Sequence, residues 1–382
     1  MSKIIIAGDF FISDPYKGSE LISEELQQHF ASVEHVIVNL EAPILNERSQ
    51  SNITKTGPSL QMLAKVINPL FQEFKISIVT LANNHIFDFG INGLKDTIEN
   101  LNSSSIRKVG AGMSEKDIQE ELIILLSNGI KVAIINFCEN EFSTLSKSNA
   151  GANPYNLINN CKKILETKLV VDKVICIVHG GHEYIDVPSP RMINAFRTLV
   201  DFGADAVLCH HAHCISTYET YKNAPIFYGL GNFLFTLPSK HECWYTGLVV
   251  ELEILRDEPI KFDFKILSQD KKNFSVGFSP ESITKSVMAR INELSVSLKT
   301  PNELQNLWKS EIFALKDEYL SLLSPSGSFS SKWLISFFWR TKLFRRLFTL
   351  NYTAILLNML RCEAHRDALE LILKQKLNDR NT

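Results

Sequence analysis

The chain has 382 residues, 45% of them hydrophobic and 21% charged, enough to bury one large core with an appendage or two domains. A formal net charge of −2 gives no global attraction to nucleic acid, and no apolar run approaches the ~20 residues of a membrane span. Seven cysteines without a CxxC pair point to a reducing compartment, and the apolar run in "MSKIIIAGDFF" is too short for a secretory signal, so a cytoplasmic location is expected.

In chain order, Lys3–Ala7, His35–Val38 and Ile76–Leu81 read as strands, as do Lys131–Phe137, Lys173–Val178 and Ala206–Cys209, all rich in Val and Ile. Amphipathic helices are predicted between them over Glu20–Val33, Ser59–Phe74, Gly93–Leu101 and Pro190–Phe202. This βαβ rhythm predicts an α/β fold, a largely parallel sheet with helices on both faces. The alternating runs Leu248–Leu255 and Ile260–Leu267 predict an antiparallel pair turning at Arg256-Asp257-Glu258-Pro259. Beyond residue 269 the pattern becomes helical, which divides the chain into a domain over 1–269 and a helical extension over 270–382. Within that extension, 332–348 ("KWLISFFWRTKLFRRLF") interleaves aromatic and basic residues. That pattern suits either a helix packed on its own domain or a second subunit, or a peripheral contact with an anionic membrane surface.

Each of the six parallel-type strands is followed by groups able to bind a metal or move a proton. Asp9 follows the first, Glu41 the second, and Asn83, Asn84, His85 and Asp88 the third; Glu139 and Glu141 follow the fourth. His179, His182 and Glu183 follow the fifth, and His210, His211 and His213 the sixth. The carboxyl ends of parallel strands share one edge, where ligands bind, so these groups are expected to converge. Turns have no need of imidazoles and carboxylates in particular; a catalytic edge does. Imidazole, carboxylate and amide oxygen without a thiolate set suit Mn, Fe or Zn at an open hydrolytic site, and the number of donors allows one ion or two. His85, with Asp88 beside it to restore basicity, suits a general acid. Lys55 and Arg191 are candidate anion binders, and Glu183 and His210 further candidate substrate contacts.

The ordered blocks "GDFF", "VNLEAPI", "TLANNHIFDFG", "VHGGHEYIDVPSPR", "GADAVLCHHAHC" and "PIFYGLGNFLF" resemble the CapA family of capsule and poly-gamma-glutamate biosynthesis proteins, itself similar to the calcineurin-like metallophosphoesterases. The resemblance spans roughly residues 3–268. It implies a layered metallophosphoesterase-like sheet core, with Asp9, Asn84, His179, His211 and His213 as metal ligands and Glu41 as the bridging carboxylate. It makes His85 the catalytic histidine and places His210 beside the closing pair. Phe11 stands where classical phosphoesterases carry a histidine, and Glu41 where they carry an aspartate. The function expected is a metal-dependent hydrolase of a phosphoester or amide bond in capsule or cell-envelope polymer metabolism. Its substrate would be an anionic polymer or a phosphorylated or peptidic small molecule. A metal-independent acid–base enzyme such as an epimerase is one alternative; a non-catalytic component of a membrane-associated synthesis complex is the other.

Overall fold

The computed structural model describes residues 2–13, 21–144, 149–323 and 350–378. The strand Ser2–Phe11 shows how the core is built. Ile4 and Ile6 point to one buried cluster and Ile5 and Ala7 to another, so neither face of the strand meets water. A strand buried on both faces reads as a continuous apolar run, which is why "KIIIA" carries no polar alternation.

Two sheets enclose the first of those clusters. In one, the order is 276–278, 261–269, 246–254, 2–11, 35–40, 76–80 and 107–109, with Asn232–Phe235 pairing onto the end of Ser2–Phe11. The strands from 2–11 to 107–109 are parallel, and 246–254 and 261–269 form the expected antiparallel pair. In the other sheet the order is 218–221, 224–227, 206–211, 173–180, 131–138 and 122–125. Ile37, Ile78, Leu248 and Val250 of the first sheet share a cluster with Ile134, Ile175, Ile177 and Leu208 of the second.

Helices cover the outer face of each sheet. Glu24–Ala31, Ala64–Glu73 and Gly90–Ser103 bury Leu26, Phe30, Ile67, Phe71 and Leu94 on the first; Leu157–Lys168 and Pro190–Asp201 bury Ile164, Phe196 and Leu199 on the second. The layered core with helices on both faces matches the expectation. The single sheet divides in two because Leu122–Leu125 enters as an antiparallel partner of Lys131–Cys138 across a turn at Gly129. That hairpin begins a new sheet instead of extending the first.

The predicted helix over Ser59–Phe74 starts five residues late. Met62–Leu63 first pairs in parallel with Ile44–Leu45, and the helix runs from Ala64. Past residue 269, Val276–Phe278 still adds a strand to the first sheet, and the helices begin at Glu281. Leu294, Leu304, Trp308, Ile312, Met359 and Ile372 of these helices join the cluster built around Phe196 and Leu199. The basic aromatic segment 332–348 lies outside the described residues. Among the described residues no helix is long and apolar enough to cross a membrane.

Candidate metal centre

The first carboxylate is positioned by a glycine. A Cβ on Gly8 would stand 1.8 Å from the Gly231 carbonyl oxygen, so only glycine lets the "GLGNF" turn reach the first strand. The Asp9 N–H then donates to that carbonyl at 3.2 Å, and Asp9 pairs in register with Asn232. On the second sheet, His211 and His213 adopt φ of 97° and 52°. Non-glycine residues enter this left-handed region at a cost, and here it turns two imidazoles toward Asp9 and Glu41.

Two donor groups result, and they share one residue. Glu41, His179 and His211 form one; Asp9, Glu41 and His213 form the other. Glu41 Oε1 lies 3.7 Å from His179 Nε2 and 3.6 Å from His213 Nε2. Asp9 Oδ2 lies 3.5 Å from His213 Nδ1 and accepts the His211 backbone N–H at 3.1 Å. Asn84 Oδ1 is 3.1 Å from His179 Nε2. Every proposed ligand except Asn84 is buried.

The geometry has a cost that a cation would remove. Both carboxylate oxygens of Glu41 are buried without a hydrogen-bond partner. Burial, the Asp9 charge and the Glu183 charge push the Glu41 carboxyl well above its ordinary range. Burial also lifts Asp9 to about 7, against the pull of the Asn39 amide and the His211 N–H. Burial holds His179, His211 and His213 neutral, the last two pushed down to about 3. Neutral imidazoles facing orphaned carboxylates are what a divalent cation requires. His213 Nδ1 lies 2.9 Å from Asn232 Oδ1; donating there leaves Nε2 bare on the side of Glu41. The donor set therefore fits one or two such ions.

These carboxyls predict a pH signature. Above about pH 7.5 histidines are largely neutral in the unfolded chain as well, so the carboxyls dominate. Asp9 and Glu183, each raised to about 7, and Glu41, raised well above its usual value, keep protons in the folded chain that the unfolded chain has released. Raising the pH from about 7.5 to 9 removes what remains of those protons, so the metal-free protein loses stability across that window. Bound cation takes the place of the protons at Asp9 and Glu41 and should flatten the fall. Melting curves with and without chelator test this. A chelated protein equally stable at both ends of the window contradicts it.

His85 stands next to the donor groups. Its Nδ1 lies 2.8 Å from Asp88 Oδ2 and 3.0 Å from Lys55 Nζ, while Lys55 contacts Asp88 Oδ1 at 2.5 Å. Burial and then the Lys55 charge lower the His85 pKa, with Asp88 opposing. Lys55, expected as an anion binder, is thus largely committed to Asp88, although it still lines the cavity with His85, Glu183 and His211. Arg191 lies elsewhere. Its guanidinium bonds Glu139 at 2.5 Å and Asp367 at 2.7 Å, outside the cavity lining. His210 also lies outside that lining, buried with both ring nitrogens unpartnered in the strand between Cys209 and His211. Cys209 packs into the core of the second sheet.

Sequence reasoning named Asn83 only among the groups after the third strand and gave neither it nor Asn39 a role. Asn39 donates to Asp9 Oδ1 at 2.7 Å, and Asn83 donates to Asn39 Oδ1 at 3.1 Å while accepting the His85 and Ile86 N–H groups. Their signal was position: each sits two residues before a site residue at a strand end.

The cavity has a volume of about 810 Å³, and part of its wall comes from the C-terminal helices through Glu311, Glu318, Tyr319, Asn358 and His365. Fold and site together define a layered α/β protein with a buried carboxylate–imidazole centre that reaches a large cavity through Asn84 and His211. The chain belongs to the bacterial capsule synthesis protein PGA_cap family, whose model matches residues 3–237. It is similar to the capsule biosynthesis protein CapA of Bacillus anthracis, 31% identical over 225 residues, which cover 57% of this chain and 54% of that one. It is also similar to the PGA biosynthesis protein CapA of Bacillus subtilis (strain 168), 29% identical over 221 residues, covering 57% of this chain and 58% of that protein. The matched stretch thus spans little more than half of either relative.

Proposed function

We propose that the chain is a metal-dependent hydrolase of a phosphoester or amide bond, acting in capsule or cell-envelope polymer metabolism. The observation that supports this most is Glu41, a fully buried carboxylate with both oxygens unpartnered, shared by two imidazole–carboxylate groups. Asp9, Glu41, Asn84, His179, His211 and His213 would hold one or two ions. Nitrogen and oxygen donors without thiolate favour Mn, Fe or Zn, and the shared Glu41 favours two ions. Such ions supply Lewis acidity, polarising the scissile group and lowering the pKa of water.

The remaining roles belong to the chain. Asn39 fixes the Asp9 carboxylate and Asn232 fixes the His213 ring, so the donors are aimed before any ligand arrives. Asp88 holds His85 by Nδ1 and, opposing burial, stabilises its imidazolium, the form whose Nε2–H can pass to the leaving atom. Lys55 adds positive charge beside His85, favouring an anionic group in the adjoining space. The names of the relatives point to capsule polymer as the first material to offer.

Metal content of tag-free protein, by elemental mass spectrometry, is the test, with a His211→Ala/His213→Ala double variant alongside. One or two equivalents of Mn, Fe or Zn in the wild type, lost in the variant, are expected. Hydrolysis of a phosphoester and γ-glutamyl amide panel should stop on chelation and return with metal. A wild type that takes up no divalent metal after supplementation would overturn the reading. Turnover that survives complete metal removal would favour acid–base chemistry by the same imidazoles and carboxylates.

A further inference from the structure

The C-terminal helices that line the cavity lie outside the residues matched by the family model, and a directional chain of hydrogen bonds joins them to His182. His182 Nδ1 is 3.0 Å from the Glu183 carbonyl oxygen, an atom that can only accept, so Nδ1 carries the proton. Burial lowers the His182 pKa to about 4, leaving the ring neutral and Nε2 bare. Tyr319 Oη, 2.8 Å from that Nε2, must donate to it. The same oxygen lies 2.8 Å from His365 Nδ1, and with its hydrogen committed it can only accept there. His365 therefore has its proton on Nδ1 and a bare Nε2. The ring lines the cavity, and among the described residues Nε2 has no hydrogen-bond partner. One backbone carbonyl thus sets the tautomer of a histidine two side chains away.

The same wall is rich in acceptors. The C-terminal helices bring Glu311, Glu318 and His365 to the cavity and, among the described residues, no Lys or Arg; the lining lysines, Lys55 and Lys240, come from other elements. We infer that Tyr319 is a positioning residue and His365 a specificity-determining residue. Together they form a subsite for an ammonium or amide N–H of the substrate, whose anionic end lies toward the metal centre. This rests on the hydrolase reading for where the anionic end lies. It adds that the substrate is an amine- or amide-bearing anion and that the C-terminal helices select it.

Two readouts that need no turnover test the subsite on the full-length, metal-loaded protein. Ring-¹⁵N-labelled histidine spectra should show His365 as the Nδ1–H tautomer in wild type and as a tautomer mixture in Tyr319→Phe. Calorimetry with O-phosphoethanolamine and ethyl phosphate should show the amine-bearing probe bound about tenfold more tightly. That preference should fall to near parity in Tyr319→Phe and His365→Leu while ethyl phosphate affinity stays unchanged, which a merely structural role would not produce. His365 protonated on Nε2 in the wild type overturns the proposal. So do equal affinities, failure of both probes to bind, or a preference that survives both substitutions. A chain that hydrolyses nothing but shows the tautomer and the preference defeats the hydrolase reading and leaves this subsite standing.

Discussion

The Glu41→Gln protein should lose its bound metal and, once metal-free, melt at a higher temperature than the wild type. Glutamine keeps the shape but removes the charge that both donor groups share. Divalent affinity should fall by about 100-fold or more, because even residues that only orient metal ligands cost 10–100-fold when changed. The stability effect has the opposite sign. Glu41 is fully buried with both oxygens unpartnered and stands against Asp9, so the empty wild type carries an uncompensated cost. Relieving it is worth on the order of 1–3 kcal/mol. Unchanged metal content together with unchanged melting of the chelated forms would show that Glu41 is an ordinary buried acid.

Replacing His85 by alanine should leave metal content intact and lower kcat by about 10²–10⁴-fold. His85 belongs to neither donor group, so its loss removes a proton and not an ion. The defect should depend on the leaving group. Esters of p-nitrophenol, which departs without protonation, should be nearly unaffected, while alkyl esters or amides suffer the full loss. A uniform loss across both classes, or loss of metal, would mean that His85 positions the centre instead of acting as its acid.

Much of this site was readable from the order of the residues alone. Asp9, Glu41, His85, His179 and His211 each end a strand or follow one closely, and the rule that parallel strands gather their carboxyl ends at one edge brings them together. Two sheets can bring their strand ends to one edge as one sheet does, so the division of the core did not keep Asp9, Glu41, His179 and His211 apart. The division itself was not readable, because the parallel strands of both sheets are buried on two faces and yield the same apolar runs. Side-chain direction was the other blind spot. His210 and His211 are neighbours with the same chemistry, yet the alternation of a strand sends them to opposite faces, and only His211 reaches the cavity. Arg191 looked free because its partners, Glu139 and Asp367, lie 52 and 176 residues away. Tyr319 and His365 gave no signal at all: single polar residues in amphipathic helices become a pair only when the helices dock.

The donors divide unevenly between the two sheets. Asp9 and Glu41 come from the first, and His179, His211 and His213 from the second. During synthesis the acidic half therefore emerges long before the imidazoles that complete it, and the turn carrying Asn232 arrives later still. A nascent chain exposes two carboxylates without the neutral donors that hold an ion between them. Ion capture is thus a late event, open only after the sheets have met, and an ion held there ties Asp9 to a part of the chain made some 200 residues afterwards.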